Sequence, residues 1–192
     1  MATSAEEAVK LVLSRTKMYT DHPIPGQLFL DIFPIWRDPA AAEAVTAHLA
    51  SHIKSTHDLS KISALVCLEA RGFFFAPQVA ARLSLPVVPV RKNGKLPGEC
   101  VSVTYQKEYG PDIFQMKTDS FEGISGEGRK DVILVDDLLG HGGSIKAAKE
   151  LVEMLGMNVV EALFIFDIPD YYERNQKNLG DLQRHAMVHL TA

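Results

Sequence analysis

What this chain of 192 residues has little of narrows its class before any motif is read. Cysteine occurs twice, as Cys67 and Cys100. Two thiols make neither a disulfide framework nor a cysteine-rich zinc site. Both lie in apolar, strand-like runs, so both are expected as small buried hydrophobes. There is no basic surplus: 20 Lys and Arg stand against 24 Asp and Glu, a formal net charge of −4. A broad nucleic-acid-binding face is therefore not expected. No run approaches the roughly 18 apolar residues of a membrane span. The amino-terminal segment carries Glu6, Glu7, Lys10, Arg15 and Lys17 where a signal peptide needs an uncharged stretch. The expected partners thus include no nucleic acid and no membrane, and the expected compartment is a reducing, cytoplasmic one. Neither G-x-G-x-x-G nor G-x-x-x-x-G-K-[ST] occurs, which removes the usual dinucleotide and P-loop fingerprints.

What is present is ordinary for a globular protein, 46% hydrophobic and 23% charged. The length fits one domain over residues 1–192 that buries roughly 70% of its unfolded surface. Residues 5–17 read as a short amphipathic helix with Ala8, Leu11 and Val12 on one face. After the turn-rich His22-Pro23-Ile24-Pro25-Gly26 and an apolar patch around Phe29 to Trp36, Asp38-Pro39 has the form of an N-cap followed by proline at the first helical position. That helix is expected to reach Lys54. From residue 62 strands alternate with helices. Residues 64–68 are a short, continuously apolar strand, and 87–90, 132–135 and 159–166 read as three further strands, the last two as buried ones, with helices from Gly72 to Leu83 and from Ser144 to Leu155 between them. Strands apolar on both faces predict a parallel sheet with helices on both sides, an α/β Rossmann-like fold. Residues 100–105 and 112–117 alternate apolar and polar side chains and predict a hairpin turning at Glu108-Tyr109-Gly110.

The densest chemistry follows the 132–135 strand: Asp136-Asp137-Leu138-Leu139-Gly140-His141-Gly142-Gly143-Ser144. In an open parallel sheet, ligands bind beyond the carboxyl ends of the strands, where these two acids fall. Adjacent carboxylates can accept hydrogen bonds from neighbouring ribose hydroxyls. Gly142 and Gly143 allow close approach of backbone to a phosphate, and the helix from Ser144 offers free N–H groups and the positive end of its dipole. Either feature alone is common in connecting loops; their order after a buried strand is what makes them specific.

This segment resembles the phosphoribosyl-pyrophosphate (PRPP) motif of type I phosphoribosyltransferases. Four further segments are similar to the adenine-specific branch: Pro25-Gly26-Gln27-Leu28-Phe29-Leu30-Asp31-Ile32 with Arg37-Asp38-Pro39; Leu68-Glu69-Ala70-Arg71-Gly72-Phe73; Val90-Arg91-Lys92-Asn93-Gly94-Lys95-Leu96-Pro97-Gly98-Glu99; and Tyr105-Gln106-Lys107-Glu108-Tyr109-Gly110. The resemblance runs from about residue 19 to 155. It implies a small N-terminal hood over about 19–38, a flexible lid over about 98–112, and Mg²⁺-dependent transfer of a 5-phosphoribosyl group from PRPP to adenine, giving AMP and pyrophosphate. By the same resemblance, residues 140–144 hold the 5′-phosphate and Asp136 and Asp137 the ribose. Arg71, Arg91, Lys92 and Lys95 face the pyrophosphate, and Leu28, Phe29 and Leu30 meet the adenine. Glu108 is the candidate acid/base, with Tyr105 or Tyr109 closing over the substrate. Mg²⁺ is expected to bind mainly through substrate oxygens, with no dedicated protein cage, and the chain to form a homodimer.

The pattern departs from the family in places. The family loop is Ala-Thr-Gly-Gly-Thr, so His141 stands where a small hydroxyl residue is usual; its ring either donates to the phosphate or turns away while the backbone binds. Leu30 replaces a usual Arg or Glu, and the tail after Ile168 matches poorly. Transfer to another base, a weakly active paralogue and a non-enzymatic PRPP sensor are the alternatives. The sensor needs a DNA-binding extension, for which the roughly 20 residues before the core leave no room.

Overall fold

The computed structural model of the protein describes residues 4–22, 24–25, 28–107, 110–124 and 128–190. The chain opens with α1 (Ala5–Arg15), started by a capping box in which Ser4 and Glu7 exchange side-chain-to-backbone hydrogen bonds of 3.2 and 2.8 Å. A two-stranded antiparallel ribbon follows, β1 (Lys17–Tyr19) with β2 (Phe29–Asp31), and then a 3₁₀ turn over Phe33–Arg37. This ribbon and turn occupy the predicted hood and begin two residues before it. The helix α2 (Pro39–Thr56) starts as the sequence predicts: Asp38 accepts from the Ala40 N–H at 2.9 Å and Pro39 lies in the first turn.

The body is an eight-stranded sheet. Its parallel part takes β3 (Ile62–Leu68), β4 (Val87–Lys92), β7 (Asp131–Val135), β9 (Asn158–Asp167) and β10 (Gln183–His189). The hairpin of β5 (Cys100–Lys107) and β6 (Gly110–Lys117) joins antiparallel beside β4, so the order is β10-β9-β7-β3-β4-β6-β5. A two-residue strand, β8 (Leu138–Leu139), extends the β7 line against β9. Alternate residues of each central strand feed two cores. On one face Leu65, Ile133, Leu163 and Ile165 pack under α1, α2 and α3 (Ala76–Leu83). On the other Val66, Leu134 and Phe164 pack under α4 (Gly143–Met154), together with Phe114 and Met116 of the hairpin. Helices cover both faces, as the apolar strands require.

Several expectations change. The helix predicted from Gly72 is split: Arg71–Phe74 forms a 3₁₀ turn, and α3 starts only at Ala76 with Pro77 in its first turn. The structure adds an unpredicted α5 (Tyr172–Leu179) and β10 in the tail, β10 pairing parallel with β9 at the sheet edge. Of the predicted flexible segment 98–112, most is regular ladder, paired from Cys100↔Lys117 through Lys107↔Gly110; its tip, Glu108 and Tyr109, lies outside the described residues. Cys67 is buried, and desolvation pushes its thiol up to about 12. Cys100 is only partly buried, its Sγ 3.7 Å from the Gly98 carbonyl. No helix among the described residues is long and apolar enough to cross a membrane.

Candidate active site

The sheet changes direction of growth at β3: β4 is added on one side, and β7 then pairs on the other. That switch point opens a crevice at the carboxyl ends of β3 and β7. The two strand ends are held close. A Cβ placed on Gly72, just after β3, would sit 2.9 Å from the Val135 carbonyl oxygen at the end of β7, so only glycine fits there.

After Val135 the ladder breaks for Asp136 and Asp137. The Asp136 N–H donates to Leu163 O at 3.1 Å, and Asp137 O accepts from the N–H groups of Ile165 and Phe166 at 3.1 and 2.9 Å. The backbone is thus pinned to β9 while the two carboxyls turn from the ladder. Asp137 is 2% exposed and Asp136 partly buried. Desolvation and the neighbouring Asp137 charge push the Asp136 carboxyl well above the usual range. Desolvation also raises Asp137, against the pull of Arg71. Asp137 Oδ2 has an ion pair with Arg71 Nη1 at 3.1 Å but no aligned hydrogen bond among the described residues. Asp136 Oδ1 accepts from the Asp137 N–H at 3.0 Å, so the oxygen short of a donor is Asp137 Oδ2.

The chain re-enters the sheet as β8 before reaching Gly140, so the acids and the glycine turn are separated by an anchored step rather than by continuous loop. Gly142 then takes φ +80°, a left-handed conformation that costs other residues strain, and caps α4 with no side chain. The first intrahelical bond is Lys146 N–H to Gly142 O, which leaves the amides of Gly143, Ser144 and Ile145 without helical acceptors. No acid lies in that first turn. The arrangement is an anion site. Gly143 is close to the hairpin, with Gln106 O 3.3 Å from the position of a Cβ.

The cations sit on the β3 and β4 ends. Arg71 donates to Leu30 O at 3.1 Å and lies 5.6 Å from the Phe29 ring centroid, so it joins the hood to Asp137. Arg91 is engaged by Glu69, Nε–Oε2 at 2.9 Å and Nη2–Oε1 at 3.4 Å; that bond holds the Glu69 carboxyl below its usual range. Glu69 also accepts from the Lys92 N–H at 2.8 Å. The Lys92 ammonium is 3.5 Å from Asp112, and Lys95 is exposed on the turn after β4.

The hood supplies less than expected. The Leu30 side chain is 1% exposed and belongs to the core, with its carbonyl taken by Arg71. Phe29 is partly buried between Arg71 and an edge-on His22 ring, and Leu28 is 38% exposed. Tyr105, expected to close over the substrate, is instead buried against Phe114 at 4.6 Å, and burial raises its phenol. Its hydroxyl meets Ser144 and lies 3.4 Å from Asp112, so the hairpin is tied to the first turn of α4. The sequence reading missed Glu69, although an acid directly after a buried strand and before Arg71 was a usable signal. It also missed the residues of α5 that pack on the glycine loop, for which no local motif exists.

Comparison with known proteins agrees with this geometry. Residues 37–185 match the family model described as phosphoribosyl transferase domain. The chain is 44% identical over 184 residues to an adenine phosphoribosyltransferase of Cricetulus griseus, covering 96% of this chain and 98% of that one. It is 39% identical over 178 residues to adenine phosphoribosyltransferase 1 of Saccharomyces cerevisiae, covering 93% and 90%. Among solved structures it is similar to the S. cerevisiae adenine phosphoribosyltransferase in complex with an imino-altritol bisphosphate and adenine, at TM-score 0.85, 34% identity and coverage of 95% and 99%. The Giardia lamblia enzyme with 9-deazaadenine superposes at TM-score 0.83 and 27% identity, each chain fully covered. With these matches spanning nearly its whole length, the chain belongs to the adenine phosphoribosyltransferase family.

Proposed function

We propose that this crevice transfers the 5-phosphoribosyl group of PRPP to adenine, releasing pyrophosphate and forming AMP for purine salvage. The observation that carries the reading is the pairing of two crowded, desolvated carboxyls at the end of β7, with Asp137 Oδ2 lacking a hydrogen-bond partner among the described residues, and an acid-free helix start that no side chain caps one short strand later. The amides of residues 143–145 hold the 5′-phosphate, with Gly140, His141 and Gly142 shaping the turn. Asp136 and Asp137 accept the ribose hydroxyls. Arg71, Lys92 and Lys95 take the pyrophosphate, while Arg91 acts mainly by holding Glu69. Phe29 and Leu28 offer an apolar surface to the flat base; Leu30 contributes through the backbone that Arg71 fixes.

In the reaction a ring nitrogen of adenine forms the bond to C1 of the ribose as the bond from C1 to pyrophosphate breaks. The transition state has oxocarbenium character. The residues around C1 act by positioning and by balancing charge. Glu108 handles the proton that the base gives up, and Tyr109 helps exclude water, a role for which Tyr105 is too deeply packed.

Mg²⁺ fits this donor set only together with the substrate. Among the described residues no group of three or more His, Cys, Asp or Glu can hold a metal, whereas Asp136 and Asp137 are adjacent carboxyls at the crevice and Asp137 Oδ2 lacks a hydrogen-bond partner among the described residues. Those two residues would hold it, and when bound it offsets negative charge on the leaving pyrophosphate. Exposed Met18, Tyr19, Phe33 and Phe74, with Phe33 and Phe74 edge-to-face at 5.3 Å, support a homodimer through the hood and the Arg71 turn. Two unpaired thiols support a cytoplasmic site of action.

The test is a panel of adenine, hypoxanthine, xanthine and orotate with PRPP and Mg²⁺, following nucleotide formation. AMP from adenine, with little product from the others, is the expected result. Absence of product with every base would remove the reading.

A further inference from the structure

Behind the glycine loop stands α5, and its side chains address that loop directly. The Asn178 amide Nδ2 donates to the His141 carbonyl at 2.6 Å. A Cβ on Gly142 would lie 3.1 Å from Leu179 Cγ and 3.4 Å from Asn175 Oδ1. Asn175 is 4% exposed, and that Oδ1 has no hydrogen-bond partner among the described residues. The His141 ring does not stand alone over the loop: it lies edge-on to Tyr171, 4.2 Å between centroids and 72° between planes, in the 3₁₀ turn that leads into α5.

The peptide plane turns these contacts into an orientation. In a trans peptide the carbonyl and the following N–H point in opposite directions. With the His141 carbonyl drawn towards Asn178, the Gly142 N–H must point away from α5. The same constraint sets the plane from which the helix opens, and hence the aim of the Gly143, Ser144 and Ile145 amides. Leu179, on the same helix, packs against Gly142, and glycine there has no side chain of its own to lock the turn. A glycine pair offers close approach but little rigidity; the rigidity has to come from outside the motif.

We infer that Asn178 is a positioning residue for the phosphate loop, fixing the His141–Gly142 peptide from α5 so that the loop amides are aimed at the sugar phosphate before it arrives. Tyr171 supports it by packing against the His141 ring. The inference rests on the reading of residues 140–144 as the 5′-phosphate site. It assigns the C-terminal segment, which carries none of the motif residues, a role in substrate affinity.

The experiment is calorimetric titration of the full chain with ribose 5-phosphate and, separately, with Mg²⁺-pyrophosphate, for the native protein, Asn178→Asp and Asn178→Ala. Asp keeps the shape of Asn but has no N–H for the carbonyl. Both variants are expected to weaken ribose 5-phosphate about ten-fold, the effect of one lost, well-placed hydrogen bond, with Mg²⁺-pyrophosphate unchanged within two-fold or so. In turnover, the KM for PRPP rises while the KM for adenine holds and kcat changes little. A merely destabilised protein lowers the bound stoichiometry and leaves the dissociation constants of the folded fraction alone. Native-like ribose 5-phosphate affinity in both variants overturns the inference, as does equal weakening of both ligands. If the native protein itself does not bind ribose 5-phosphate, the phosphate-site reading fails and this inference falls with it.

Discussion

Two buried acidic sites lie on neighbouring strands of this sheet, and they are built in opposite ways. At the end of β7, Asp136 and Asp137 crowd each other, have only Arg71 for an ion pair, and are pushed up by desolvation. In β9, Glu161 is fully buried too, yet His52 bonds one of its oxygens at 2.8 Å and His57 the other at 2.7 Å. The second site is closed on itself; the first leaves Asp137 Oδ2 without a hydrogen-bond donor among the described residues. The contrast separates a site kept for a ligand from one kept for structure better than cavity size does. A cavity of about 740 Å³ lies between α1, α2 and β10 and is bordered by His48, His52 and His185, but those rings bond and stack among themselves. Buried polar groups that are satisfied stabilise a fold; those left short mark where chemistry is expected.

The largest effect expected from this contrast is on the first pair. Asp136→Asn removes a charged acceptor for the ribose and lowers kcat/KM about ten- to a hundred-fold. The same change should raise the melting temperature of the unliganded protein near neutral pH. A carboxyl whose folded pKa lies above its unfolded value of 3.8 costs stability once the pH has passed that value, and neutral Asn removes this cost. The gain should vanish below 3.8, where the acid is protonated in both states. A variant that is both inactive and less stable would place Asp136 among structural residues.

Glu161→Ala should do the reverse. It strips His52 and His57 of their shared acceptor and leaves a void in β9, for a loss of about 3 kcal/mol. Residual folded enzyme should keep its kcat and both KM values, because the cluster lies on the α2 face and the crevice opens at the strand ends. Denaturant melts and steady-state rates on the same sample read both. A fall in kcat without a fall in stability would erase the distinction between the two sites.

The first site was legible in the sequence because its parts are contiguous: strand, acids, glycines and helix follow one another from Val132 to Ile145, and each has a local physical signature. The core strands were legible for the same reason, being runs apolar on both faces. Contacts between distant segments left no such trace. Nothing local says that Arg91 spends its guanidinium on Glu69, that Leu30 lies in the core while its carbonyl holds Arg71, or that Tyr105 is a packing residue. The helix expected from Gly72 failed at Phe75-Ala76-Pro77, where proline supports a new helix start and the preceding turn tightens to 3₁₀. In β10, Gln183-Arg184-His185 precedes Ala186-Met187-Val188, too polar a start to read as a buried strand. Its place at the edge of the sheet explains why that composition is tolerated.

The smallest effect tests the closed cluster by pH. Desolvation, then the charges of His52 and His48, bring the folded pKa of His185 down to about 4, from 6.5. His48 is lowered by desolvation as well. Glu161, facing from β9, acts in the opposite sense on His185, and His189 on its own strand adds to the lowering. A histidine that resists protonation in the folded state contributes stability in full above 6.5 and loses it as pH falls towards 4, since the unfolded chain takes up the proton first. The carboxyls of Glu69 and Asp38, held low by bonds from Arg91 and Arg15, lose their share only below their unfolded values of 4.5 and 3.8. Between 6.5 and 4.5 those two carboxyls stay ionised, and the raised carboxyls of Asp136 and Asp137 are common to native protein and variant, so the difference between the two reads His185. His185→Phe keeps a ring to stack on His52, 3.7 Å away between centroids, and removes the titration. Across that window the melting temperature of the variant should decline less steeply with acidification than that of the native protein. Parallel slopes would mean that solvent reaches the cluster freely, and the contrast between a closed site and an open one would then rest on the carboxylates alone.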